Sequence, residues 1–299
     1  MNVHIVNTCN DYETLFALAD TDEKRENFFR YTMMRPFESM WSTIQVPMTA
    51  AKPGGYDVVM AASMLGYLDL RSTNIGMAGI ERLKEIDIHQ VAERTLHHCI
   101  ACMGQAGLEV KADRLVFGAF LADPVKLAYT NGYSGFGGIP GYIQLIIYPN
   151  ENNIPRIPSI IAHEFHHNIR FSYFDWDHSN VSLGEYMVIE GLADSFASAL
   201  YGEEMSGPWI ASFDEEELSY SIEVIRQALN VKGFAEVSSY MYGDEVAKEQ
   251  GYHPVGLSFG AGYAVGYHLV QAFLKKSGAS IYDATRLTAA EIIAGSLLF

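Results

Sequence analysis

Basic residues are scarce in this sequence. Its 20 Lys and Arg stand against 36 Asp and Glu, a formal charge of −16 at pH 7. No Lys/Arg cluster is left over to neutralise a phosphate backbone, so nucleic acid is not an expected partner. Cysteine is scarcer still. Cys9, Cys99 and Cys102 cannot build a disulfide framework for 299 residues, which suits a reducing compartment. Long apolar runs are missing too: no segment reaches the ~18 apolar residues of a membrane span. The amino terminus "MNVHIVNTCNDYETLF" has no basic stretch leading into a continuous apolar one. The expectation is a cytoplasmic protein without a membrane span.

What is present is the makeup of a folded globular chain, with 49% hydrophobic and 19% charged residues. Neither a linker nor an internal repeat separates domains, so residues 1–299 are read as a single catalytic domain. Residues 11 to about 110 carry helical periodicity, in "DYETLFALADTDEKRENFFRYTMMRPF" and "IERLKEIDIHQVAERTLHHCIACM". "RLVFGAF" and "GYIQLIIYP" read as strands, and the glycine-rich "NGYSGFGGIPG" between them as a loop. Beyond Pro155 the pattern is helical again. The expected class is therefore α+β, mostly helical with a small sheet.

"AHEFHHNIRF", residues 162–171, concentrates the chemistry. Pro155, Pro158 and Ser159 suit a helix start, with Ser159 as the cap. Ile161, Phe165 and Ile169 then form one stripe, and His163 with His167 a second on nearly the opposite side. Two imidazoles four residues apart on a helix can bind one zinc ion, and the residue after the first projects beside it. That residue is Glu164, placed to take a proton from zinc-bound water and return it to a leaving amine. His166 is turned from the pair by roughly 60–100° and reads as structural or supporting.

HExxH by itself can arise by chance, so a third ligand matters. Ser182 and Glu185 have capping-box spacing and Gly202 suits a C-terminal cap, predicting a helix over about 183–201. Glu190 on it is flanked by Val188, Ile189 and Leu192, a costly setting for a carboxylate without a partner. Glu190 is thus the expected third ligand, with Asp194 one turn on accepting from the free ring nitrogen of a ligating histidine. The HExxHxxGxxH pattern fails because Arg170 and Tyr173 stand at its glycine and third histidine positions. His178 is a weaker alternative. "HHCIAC", His97 to Cys102, continues an amphipathic pattern and reads as core rather than as a second metal site.

These stretches carry a resemblance. "PSIIAHEFHHNIR", "VIEGLADSFASALYG" and "FGAGYAVGYHLVQAFLKKSGAS", with weaker support from "GFGGIPGYIQLIIYPN", resemble a bacterial family of inferred zinc-dependent proteases. That family was long known only as a domain of unknown function and has gluzincin-like ligands. The similarity runs over roughly residues 113–296. It implies a zincin-like fold and peptidase chemistry, with one Zn2+ held by His163, His167 and Glu190, Glu164 as base and Asp194 behind the ligands.

The leading reading is a zinc metallopeptidase acting on a peptide or protein. "GYIQLIIY" would either lie along the cleft and pair with extended substrate or be an ordinary core strand. The alternatives are a catalytically silent zinc-binding regulator or scaffold and a hydrolase of a non-peptide amide. "GAGYAVGYH", residues 260–268, should begin a further helix with Tyr263 and Tyr267 on one face. A phenol there could donate to the developing oxyanion, Tyr263 first, Tyr267 second and His268 third.

Overall fold

The computed structural model describes residues 1–18, 21–52, 54–177 and 179–299. The chain opens with a short strand, β1 (Asn2–Ile5), and five helices: α1 (Thr8–Ala17), α2 (Asp22–Phe28), α3 (Glu38–Thr43), α4 (Val58–Met64) and α5 (Thr73–Glu85). α6 (Ile88–Gln105) follows, then β2 (Arg114–Leu121), β3 (Tyr133–Phe136) and β4 (Tyr142–Ile147). Helices make up the rest: α7 (Ile157–Tyr173), α8 (Leu183–Tyr201), α9 (Pro208–Ser212), α10 (Glu215–Arg226) and α11 (Phe234–Tyr242). The last are α12 (Asp244–Glu249), α13 (Ala261–Ser277), α14 (Ile281–Ala284) and α15 (Ala289–Ser296). The class is α+β, mostly helical with one small mixed sheet. Among the described residues, no helix is long and apolar enough to cross a membrane.

Packing divides the chain into two compact units. The first comprises Met1–Cys102 and Val110–Asn168, the second Met103–Glu109 and Ile169–Phe299. The sheet of the first unit has the order β1-β2-β4-β3, parallel except for β3. All of β2 but Arg114 is buried, as an apolar strand flanked by two parallel neighbours should be. Phe37 meets Phe120 edge-on at 5.6 Å, and the Tyr67 ring lies 5.3 Å from Phe120. The Tyr67 hydroxyl donates to Gln144 Oε1 at 2.8 Å, satisfying a buried amide on β4.

The sheet corrects the sequence reading in two places. β3 lies inside "NGYSGFGGIPG", read above as loop: its glycines are placed by contact with a helix, which composition does not display. β4 is hydrogen-bonded to β2 on one side and β3 on the other. It is therefore a core strand with no free edge for a substrate. β1, four residues without an apolar run, becomes a strand through its pairing with β2. Cys99 is fully buried on α6 and Cys102 partly so, and burial pushes the Cys99 thiol well above its ordinary range.

α7 begins two residues earlier than its expected cap. A 3-10 turn over Ile154–Arg156 leads straight into Ile157, so Ser159 lies within the first turn and Pro158 occupies a position where its missing N–H costs nothing.

In the second unit α8 begins as its spacing requires. Ser182 accepts from the Glu185 N–H, and Glu185 returns the bond to the Ser182 N–H. From Leu183 to Ala197 nearly every residue is buried, so α8 is the spine of this unit. α13 crosses it through paired glycines. A Cβ on Gly191 would stand 2.1 Å from the Gly266 carbonyl oxygen, and one on Gly266 2.4 Å from that of Met187.

This crossing predicts a stability change. Gly191→Ala overpacks it at a cost of about 1–3 kcal/mol or more, read as a melting temperature lower by roughly 5 °C. Gly104→Ala on α6, whose Cβ would meet nothing within 4 Å, should be neutral or stabilising. Equal melting temperatures for the two variants would contradict the tight crossing.

Candidate metal centre

Each candidate ligand is placed by a helix register. On α7, Ile161, Phe165 and Ile169 are all buried in apolar surroundings, which fixes the rotation of the helix. The imidazoles of His163 and His167 then stack one turn apart. Their rings lie 4.7 Å apart, nearly perpendicular, and their Nε2 atoms approach to 3.0 Å. Two nitrogens on a tetrahedral ion at ~2.0–2.1 Å stand ~3.3 Å apart. The pair is already close to that spacing.

Glu190 is 8% exposed on α8, with Val188 and Leu192 fully buried around it. His163, His167 and Glu190 each offer an atom within 4.8 Å of the others, the one such group of three among the described residues. Two imidazoles and a carboxylate leave a fourth tetrahedral position to water or substrate, the donor set of an open zinc site. His166, buried beside this group in sequence, is not part of it. His178, the weaker sequence candidate, lies outside the described residues.

Glu164 is held from the sheet side. A Cβ on Gly135 of β3 would fall 2.1 Å from Glu164 Oε1, and one on Gly137 would fall 2.1 Å from the Glu164 backbone oxygen. Only glycine lets β3 come this close. Those glycines are neighbours of Glu164 that sequence reading missed, because their meaning depends on which helix they face.

Around Glu190 the second unit gathers phenols. The hydroxyls of Tyr186 and Tyr242 lie 2.9 Å apart, and the Tyr263 phenol lies within electrostatic reach of both. The Tyr263 ring packs 5.0 Å from Trp209 and 5.7 Å from Tyr242. Burial first, and then the neighbouring phenols and the Glu190 charge, push Tyr186 and Tyr263 well above the ordinary phenol range. These groups therefore remain O–H donors at neutral pH. Tyr186 could have been found from its i, i+4 spacing to Glu190; Tyr242, far along the chain, had no such signal.

Asp194, 3% exposed, accepts from Trp209 Nε1 at 3.0 Å through Oδ2. Trp209 was not singled out in the sequence, where it merely follows Gly207 and Pro208. Tyr267 has other neighbours than Tyr263: Ser198 and Glu203 act on its phenol, and its ring edge meets His268 at 5.5 Å. Burial also lowers the pKa of the half-buried His268. Of the three donors weighed from sequence, Tyr263 is the one surrounded by groups that sense Glu190.

Titrating metal-free protein with Zn2+ should give one site per chain, lost on acidification as the histidines protonate. Glu190→Gln should weaken it by more than the ~10–100-fold typical of losing a hydrogen-bonded neighbour. His178→Ala, and Cys99→Ser combined with Cys102→Ser, should leave stoichiometry and affinity unchanged. A ranking in which His178→Ala weakens binding more than Glu190→Gln would displace Glu190 from the ligand set.

The chain is 54% identical to "Uncharacterized protein YjfC" of Bacillus subtilis (strain 168) over 299 residues, spanning all of this chain and 99% of that one. It is 26% identical to "Uncharacterized protein YjaZ" of the same organism over 137 residues, 44% of this chain and 48% of the other. No solved structure matches. Residues 88–294, which include every residue of the centre described above, match the family described as "Predicted Zn-dependent protease (DUF2268)", and the chain belongs to that family.

Proposed function

We propose that this protein is a zinc-dependent peptidase, with His163, His167 and Glu190 holding the ion and Glu164 as general base. The observation that carries the reading is the convergence of two ring nitrogens and a buried carboxylate beside a second carboxylate, Glu164, that is outside the ligand set. A purely structural zinc site normally closes with four protein ligands and has no use for such a group. This argues against a silent regulator or scaffold.

When bound, zinc supplies a Lewis acid that polarises the scissile carbonyl and makes water a nucleophile at neutral pH. The chain's own groups do the rest. Glu164 accepts the proton of the attacking water and hands it to the departing amine. Tyr263 donates its hydroxyl proton in a hydrogen bond to the oxyanion of the tetrahedral intermediate, while Tyr186 and Tyr242 orient that hydroxyl. Asp194 accepts a ring N–H from a ligating histidine and fixes its tautomer, its other bond to Trp209 keeping the carboxylate in place. The extended peptide adds to β3, the terminal strand of the sheet, rather than to β4. Main-chain pairing of this kind selects peptides over small amides.

Two outcomes test the chemistry. Glu164→Gln should keep zinc and fold yet lose nearly all turnover of a peptide library, because it removes the proton acceptor and no ligand; undiminished turnover would remove the mechanism. Tyr263→Phe should lower kcat by roughly 10²-fold with little change in KM or zinc content. A variant with normal kcat and a lower melting temperature would make Tyr263 a packing residue.

A further inference from the structure

Asn168 lies one turn beyond Glu164 on α7, on the same face of the helix, and is fully buried. Its Oδ1 accepts from the Gly141 backbone N–H at 2.7 Å. Its Nδ2 donates to the backbone oxygens of Gly137 at 2.8 Å and Tyr142 at 2.9 Å. Gly137 and Gly141 belong to the connection between β3 and β4, and Tyr142 opens β4. The amide orientation is thereby determined, since its oxygen meets a donor and its NH2 group meets two acceptors.

The Gly141 end of the connection is held from the sheet as well. The Gly141 carbonyl accepts from the Val116 N–H of β2 at 2.8 Å, and Gly141 itself has φ +95°, a conformation that favours glycine. Sheet pairing and Asn168 thus both hold the Gly141 end, while at the Gly137 end Asn168 supplies the tie to α7. Gly137 is also the residue whose Cα lies against the Glu164 backbone. One side chain thus sets how far the end of β3 stands from the turn of helix that carries the base.

We propose that Asn168 is a positioning residue for this centre: it ties the β3–β4 connection to α7 and so fixes the height of the β3 edge relative to the Glu164 carboxylate. The inference rests on the peptidase reading, in which β3 receives the peptide. Near-attack geometry tolerates little error, and a displacement of about 1 Å can cost ~10²-fold in rate. Loosening the connection leaves the edge free to pair with peptide but misaligns the scissile carbonyl. The loss falls on kcat rather than KM.

Asn168→Asp separates the cases. A carboxyl group is nearly isosteric with the amide but offers at most one donor where two are used. Zinc-loaded wild type, Asn168→Asp and Tyr67→Phe are compared; Tyr67→Phe deletes a buried bond to β4 at Gln144 in the same unit. Asn168→Asp should retain one zinc, show faster hydrogen exchange at the amides of residues 135–142, and lose roughly 10- to 100-fold in kcat on extended peptides with KM nearly unchanged. Tyr67→Phe should keep wild-type kcat and exchange in that segment. Should Asn168→Asp fail to fold, Asn168→Ser carries the same readouts.

Unaltered exchange at residues 135–142 in the folded variant overturns the proposal, whether or not the protein cleaves peptides. So does a kcat no lower than that of Tyr67→Phe. Wild type that binds zinc and turns over no peptide refutes the peptidase reading alone, and the exchange result then decides the role of Asn168.

Discussion

A carboxylate buried on an apolar helix is the constraint around which the second unit is arranged. Glu190 sits where Val188 and Leu192 are fully buried, and an ionised group there requires compensation from polar neighbours. Phenol hydroxyls from three separate helices gather within reach of its charge. The glycine crossing of α8 and α13 makes this possible, because it brings the first turns of α13, and Tyr263 with them, close to α8. A side chain at either glycine would separate the phenol from the carboxylate.

α7 shows how one helix serves three masters through its 3.6-residue period. Ile161, Phe165 and Ile169 commit one face to the core. His163 and His167 form a second, with ring nitrogens converging at 3.0 Å. Glu164 and Asn168 form a third, laid against β3 and the connection that follows it. The two histidines, Glu164 and Asn168 are thus carried by a single rigid element, and the distances among them are those of a helix rather than of mobile loops. The two carboxylates have different surroundings: Glu190 lies near phenols of its own unit, and Glu164 lies against the glycines of a strand and its connection.

The family match covers residues 88–294, whereas the first strand and α1 to α5 lie before it. That segment supplies β1, Phe37 and Tyr67 to the sheet, so it completes the core on which β3 and β4 are mounted. The similarity to YjfC runs through it as well.

The amino-acid sequence by itself determined whatever repeats on a short period. His163, Glu164 and His167, the capping box at Ser182 and Glu185, the burial of Glu190 among apolar neighbours and the core role of Cys99 all follow from local spacing, because a helix turns that spacing directly into a face. Only the tertiary structure decided the rest. β3 was hidden in a glycine-rich stretch because glycine signals a loop until a helix is packed against it, and β4 lost its open edge once β3 paired with it. Tyr242 and Trp209 reach the Glu190 region from distant positions with no shared period. Asn168 contacts residues 26–31 positions earlier in the chain. Such neighbours are set by chain topology, and no local pattern encodes which strand a helix face will meet.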